Sequence, residues 1–174
     1  MADALTIAER RGLGLAAVMA RAGADEAVLG ARLGAVPPSG PRTAPAGDLL
    51  LVGVGPGAWL AVLEGGAPAV EALEAELAGS ASVSDQSAGY VVFRLSGEGA
   101  RRLLQAGAFI DLDADAFPAG SAAVTAIAHM GVILWAADPA PAFDLAVFRS
   151  LAGSFRDWLA ETAAGLGLAI SWTS

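Results

Sequence analysis

Apolar positions along this chain come in short blocks, and glycine, proline and acidic residues separate them. The spacing inside each block predicts the element. Residues 13–21, LGLAAVMAR, suit a helix by propensity and a buried strand by length and by the Gly23 that follows, and periodicity leaves both open. Residues 24–33 read as a helix with acids in the first turn, where they favour the helix dipole. The stretch AVPPSGPRTAPAGD, 35–48, reads as a loop. Residues 48–54 and 59–63 read as strands. Residues 68–77 form a helix pattern with proline near the start and Val70, Leu73 and Leu77 on one face.

The second half has a similar rhythm. Residues 89–95 read as a strand and 98–106 as a short helix with Arg101 and Arg102 exposed. Three strands are expected at 122–129, 132–136 and 143–148. Residues 150–164 carry the strongest helix pattern, with Leu151, Phe155, Trp158 and Leu159 on the apolar face and Ser150 placed to cap it. Helices and hairpin-spaced strands in mixed order predict an α+β fold rather than a regular parallel α/β sheet.

Composition narrows the chemistry. The 174 residues suit one domain or two small lobes with a shared core. Every basic side chain is arginine, so Schiff-base catalysis and a phosphate-loop lysine are excluded. The absence of cysteine removes disulfides, thiolate nucleophiles and cysteine-ligated metals, and a single histidine, His129, leaves little for acid–base work. This thin set of catalytic side chains argues against an enzyme that works alone. A net charge of −8 without a basic stripe argues against nucleic acid. No apolar run reaches the roughly 20 residues of a membrane span, since Pro56 and three glycines break the longest, 49–63. The first residues mix acids with arginines and lack the apolar core of a leader, so a soluble, cytoplasmic chain is expected.

Four features invite a chemical role. Asp111, Asp113 and Asp115 alternate, but counting from Asp111 a calcium-binding EF-hand loop would need glycine at Ala116 and glutamate at Ala122. Solvated or capping acids are the expectation. The stretch Gly53-Val54-Gly55-Pro56-Gly57-Ala58 satisfies a relaxed dinucleotide fingerprint, but the WLAVLEGG that follows is too short for the helix this mechanism needs. A hairpin turn is expected instead. His129 lies at a predicted strand end beside Gly131 and has no nucleophile elbow to join. Arg149-Ser150 at a strand-to-helix junction suits a cap with a surface ion pair better than an anion site. Trp59, Trp135, Trp158 and Trp172 are expected in the core, or as interface anchors where exposed.

Five segments occur in a particular order between residues 36 and 165. Gly55-Pro56 precedes Trp59-Leu60, and Val83-Ser84-Asp85-Gln86-Ser87 follows. A strand bearing Arg94 then runs into Leu95-Ser96-Gly97 and a short helix. Ile110-Asp111-Leu112 leads to Phe117-Pro118-Ala119-Gly120 and Thr125, and Val147, Arg149 and Ser150 enter a helix with Trp158-Leu159. Together they resemble the gamma subunit of heterotetrameric sarcosine oxidase. Two positions depart from the family: Ala108 or Phe109 stands where a cysteine is usual, and Leu151 where phenylalanine follows Arg-Ser.

The resemblance implies two ferredoxin-like αβ plaits with antiparallel sheets, as in the first domain of the folate-binding aminomethyltransferases. That favours a strand at 13–21. The lobes are expected at 1–80 and 81–174 within one compact unit. The family's complex demethylates sarcosine oxidatively to glycine, yields hydrogen peroxide and passes the one-carbon unit to tetrahydrofolate. The resemblance implies FAD, FMN and NAD in alpha and beta subunits, with alpha, beta and delta chains as partners. It implies no catalytic, cofactor-binding or metal residue in this chain. Two alternatives are a stand-alone folate-binding module, with Asp85 or Asp111 as its buried carboxylate, and an interaction domain serving some other partner. A mean hydropathy of +0.58 with 16% charged residues further predicts an exposed apolar docking surface, anchored by tryptophan or phenylalanine.

Overall fold

The run that periodicity left open, residues 13–21, is a strand lying between two others. The computed structural model describes residues 4–139 and 141–173. In chain order its strands are β1 (Ala4–Arg10), β2 (Gly14–Ala20), β3 (Thr43–Ala46), β4 (Leu49–Gly55), β5 (Ala58–Leu63), β6 (Ala81–Asp85), β7 (Tyr90–Ser96), β8 (Ala122–Ile127), β9 (Met130–Ala137), β10 (Ala142–Phe148) and β11 (Ala169–Thr173). The helices are α1 (Glu26–Leu33), α2 (Ala67–Glu76), α3 (Gly99–Gln105) and α4 (Ala152–Leu166), with a 3-10 turn at Arg149–Leu151. The fold is α+β, with two αβ plaits whose strands are antiparallel except for the pair β1 and β11.

One unit comprises residues 12–89. Its sheet has the order β3-β4-β5-β2-β6. Gly14 shows why β2 fits there: a Cβ would meet Gly66 O at 2.5 Å and a Val70 methyl at 2.8 Å, so the start of α2 packs directly on its backbone. Val70, Leu73 and Leu77, the face expected from the spacing, bury against Val18, Leu51 and Ala61. Pro68 falls in the first turn of α2, where its missing N–H costs nothing. The predicted 35–48 loop contains a short edge strand, β3, that pairs with β4 despite Pro45. An edge position tolerates proline because one side of the strand needs no donor.

The other unit comprises residues 4–11 and 90–173. Its sheet has the order β11-β1-β7-β10-β9-β8. Helices α3 and α4 supply Leu103, Leu104, Phe155 and Leu159 to a core that also takes Phe93 and Phe143. Gly107 admits the Trp158 ring so closely that a Cβ would lie 2.6 Å from it.

Several expectations change at this point. The expected lobe boundary at residue 80 differs from the observed division at two segments. Strand β6 pairs with β2, and β1 crosses to pair with β7. Pairing partners decide membership, and neither segment's own sequence names its partner. Ser150 does not cap α4: it lies inside the 3-10 turn, and Leu151 precedes the helix with no side-chain cap. Arg102 is exposed as expected, but Arg101 is partly buried, with its guanidinium 5.0 Å above the Phe143 ring. His129 is not in a strand. It forms a two-residue turn with Ala128 between β8 and β9, both at positive φ.

Candidate functional site

In strand β10 the two-residue period sends Phe143, Leu145 and Val147 to the helix-covered core and Asp144 to the opposite face. Asp144 is nevertheless fully buried. A buried carboxylate needs charged donors, and neighbouring strands provide them. Arg94 stands directly across from it on β7 and binds in a fork, Nε to Oδ1 at 2.7 Å and Nη2 to Oδ2 at 2.6 Å. From β1, Arg10 Nη1 reaches Oδ2 at 3.1 Å. The cluster therefore ties together three adjacent strands, β1, β7 and β10. With both oxygens engaged by guanidinium donors, this carboxylate is built to hold strands in register rather than to take a proton from a substrate.

Of these three residues, the sequence singled out only Arg94, as part of the family pattern. Asp144 and Arg10 were missed. A signal existed: AFDLAVF and YVVFRLS each place one charge inside an apolar strand, and two such charges of opposite sign invite pairing.

The other signature residues hold the backbone locally. In the unit 12–89, Gly55 and Pro56 form the β4–β5 hairpin, with Gly57 at φ 64°. The dinucleotide reading fails there as expected, because a strand and not a helix follows. Trp59 is buried, and its indole N–H donates to Pro38 O at 2.8 Å, seating the proline-rich loop. Asp85 is exposed and accepts from Ser87 N at 2.8 Å. The Ser87 hydroxyl accepts from Leu15 N at 3.0 Å, which joins the end of β6 to β2.

Hydrogen bonds from Ser87, its side chain first and then its backbone N–H, hold the Asp85 carboxyl below its ordinary value of 3.8. A depressed carboxyl contributes stability above its unfolded pKa and loses it as pH falls through the folded one. Replacing Ser87 with alanine is expected to move Asp85 back up while leaving it below normal, because the backbone donor remains. An NMR titration of the Asp85 carboxyl checks this; an unmoved midpoint would contradict the hydrogen-bond cause.

In the other unit, Asp111, Asp113 and Asp115 are all exposed. Asp111 accepts from Asp113 N at 2.8 Å, the capping role expected of it. No group of three or more metal-ligating side chains occurs among the described residues. Leu112, between Asp111 and Asp113, and Phe117, beyond Asp115, are buried, and Phe117 stacks on Phe143 with centroids 6.4 Å apart. Pro118 is exposed, Gly120 turns the chain into β8 at φ 78°, and Thr125 is half-buried on β8. Arg149 donates to Tyr90 O at 2.9 Å, and Ser150 is exposed. Trp158 is partly buried against Phe155. Since Asp85 and Asp111 are both exposed, neither is the buried carboxylate that a folate module would require.

These plaits are those of known proteins. The structure matches that of the heterotetrameric sarcosine oxidase from Corynebacterium sp. U-96 in complex with pyrrole 2-carboxylate, with a TM-score of 0.84 and 22% identity over 95% of this chain and 86% of that chain. It also matches glycine cleavage system aminomethyltransferase T from Bartonella henselae, with a TM-score of 0.70 and 15% identity over 97% of this chain and 47% of that one. The fold class is thus shared with a sarcosine oxidase subunit and with part of an aminomethyltransferase. Residues 14–165 match the sarcosine oxidase, gamma subunit family, and the chain belongs to that family. No curated protein matches it.

Proposed function

We propose that this chain is a non-catalytic gamma subunit of a sarcosine oxidase complex. Its partners would be alpha, beta and delta subunits that carry FAD, FMN, NAD and tetrahydrofolate. The complex would demethylate sarcosine to glycine in the cytoplasm and pass the one-carbon unit to folate. Family membership over residues 14–165 supports the assignment to such a complex. The observation that carries the non-catalytic role is what its best-placed polar groups do. The buried Asp144 is saturated by Arg94 and Arg10, while Asp85 and Asp111 cap backbone turns. No described helix is long and apolar enough to cross a membrane.

A subunit also needs surface to bury. Phe109 and Val124 are 63% and 60% exposed in the unit that holds α4, and Phe109 meets the His129 ring edge-on at 5.4 Å. Exposed phenylalanines rather than tryptophans are the candidate anchors, since Trp59 and Trp135 are buried and Trp158 and Trp172 partly so.

Co-expression with candidate alpha, beta and delta chains tests the proposal. The chain is expected to co-purify in fixed ratio with a sarcosine-dependent, peroxide-producing activity. Purified alone, it is expected to show neither flavin absorbance nor oxidase activity. Flavin retained through dialysis by the isolated chain would refute the non-catalytic reading, and failure to co-purify would refute the partnership.

A further inference from the structure

We infer that a half-open cavity beside the end of α4 nearest the 3-10 turn binds a small organic carboxylate. Its volume is about 230 Å³, and Glu9, Arg11, Phe93, Arg156, Trp172 and Thr173 line it. All six belong to the unit formed by residues 4–11 and 90–173. The register explains their meeting. Strand β11 runs parallel to β1 with Trp172 opposite Ile7, and Glu9 lies opposite Phe93 on β7. The two-residue period then puts Trp172, Ile7, Glu9, Phe93 and the following Arg11 on one face of three adjacent strands. Helix α4 covers that face and lowers Arg156 onto it, with the guanidinium 4.5 Å from the Trp172 ring centroid.

The charge in this cavity is not internally matched. Arg156 stacks on Trp172, but no described residue supplies it with a carboxylate or another hydrogen-bond acceptor. Among the described residues, Arg11 has only a long contact to Glu9, at 3.7 Å. Among the described lining residues, two arginines stand against one glutamate, an excess of positive charge in a chain of net charge −8. A stacked guanidinium still directs its in-plane N–H groups outward, the geometry that receives a carboxylate in a fork. The buried Phe93 ring gives the cavity an apolar wall. At the liquid volume of roughly 30 Å³ per water, the space suits a molecule on the order of ten non-hydrogen atoms. The ligand class is therefore a monocarboxylate with a short apolar body. Glu9, Arg11, Trp172 and Thr173 lie outside residues 14–165, so the cavity does not follow from family membership, nor does it depend on the proposed function.

Isothermal titration of the full chain with sodium benzoate tests the site. One benzoate per chain is expected, with affinity falling as salt rises. Benzamide, of the same shape but neutral, is expected to bind at least about tenfold more weakly, because it cannot form charge-assisted bonds. Arg156→Gln is expected to weaken benzoate by about the same factor while lowering the melting temperature only slightly, since Arg156 is exposed on α4 and loses one stacking contact with Trp172. The inference is overturned if benzoate does not bind at millimolar concentration, if benzamide binds as well, or if Arg156→Gln leaves the affinity unchanged. Inorganic phosphate binding as tightly as benzoate would also overturn it, by showing that the apolar wall contributes nothing.

Discussion

Replacing Asp144 with alanine is expected to lower the stability of the unit that contains β1, β7 and β10 by about 3 kcal/mol. The reason is the two guanidiniums left behind. Arg94 and Arg10 converge on one buried carboxylate, and removing it leaves like charges close together without the carboxylate that offsets their repulsion. The estimate is set at the low end for a broken buried pair because the arginine side chains keep 38% and 21% of their surface exposed and can turn toward water. Two comparisons sharpen the test. Arg94→Met should cost more than Arg10→Met, since Arg94 makes the two-pronged contact at 2.6 and 2.7 Å and Arg10 a single one at 3.1 Å. The double variant Asp144→Leu with Arg94→Met should recover part of the loss, because apolar residues of similar size often replace a buried ion pair without cost. Denaturant unfolding measures all four. A loss below about 1 kcal/mol for Asp144→Ala would place the cluster among ordinary surface salt bridges and remove its role in register.

The second large effect is expected at Gly53. A Cβ there would run into the Gly40 carbonyl oxygen and lie 3.2 Å from Arg42 O, both backbone atoms that cannot swing aside. The Gly53 N–H also donates to Arg42 O at 2.9 Å, so the proline-rich segment is laced onto β4 at this residue. Gly53→Ala should therefore cost about 3 kcal/mol, the upper range for overpacking. Gly55→Ala is the control. Its nearest neighbour would be the Ala58 Cβ at 4.0 Å, and the change should stay within about 1 kcal/mol. The same glycine-rich stretch thus separates a glycine required for close approach from one that is not. Equal tolerance at both positions would show that residues 40–42 do not rest on the strand in solution.

How much of this was legible beforehand depended on how local the cause was. Helix α2 could be read from Val70, Leu73 and Leu77 because three side chains on one face are a property of a ten-residue window. The β4–β5 hairpin could be read against the dinucleotide fingerprint because the segment after Gly57 is too short for a helix. The capping role of Asp111 was equally local, since its partner is two residues away. The ordered segments from Gly55 to Trp158 were specific enough to indicate the family.

Other features depended on residues distant in the chain. The sequence determined which segments are apolar enough to bury, which turns must bend, that no lysine or cysteine chemistry is available, and which family the chain joins. The period of residues 14–20 left helix and strand open and only the family resemblance favoured a strand; pairing with β5 and β6 on either side is what makes it one. Tertiary structure also moved β1 away from its sequence neighbours to pair with β7 and β11. That pairing brings Arg10 to an aspartate 134 positions later, and sets Glu9 and Arg11 beside Trp172. A strand's own residues state its period and its burial but not its partner. Partner choice is settled by the sum of contacts across a whole sheet, so sites assembled across strands stay hidden until the pairing is known.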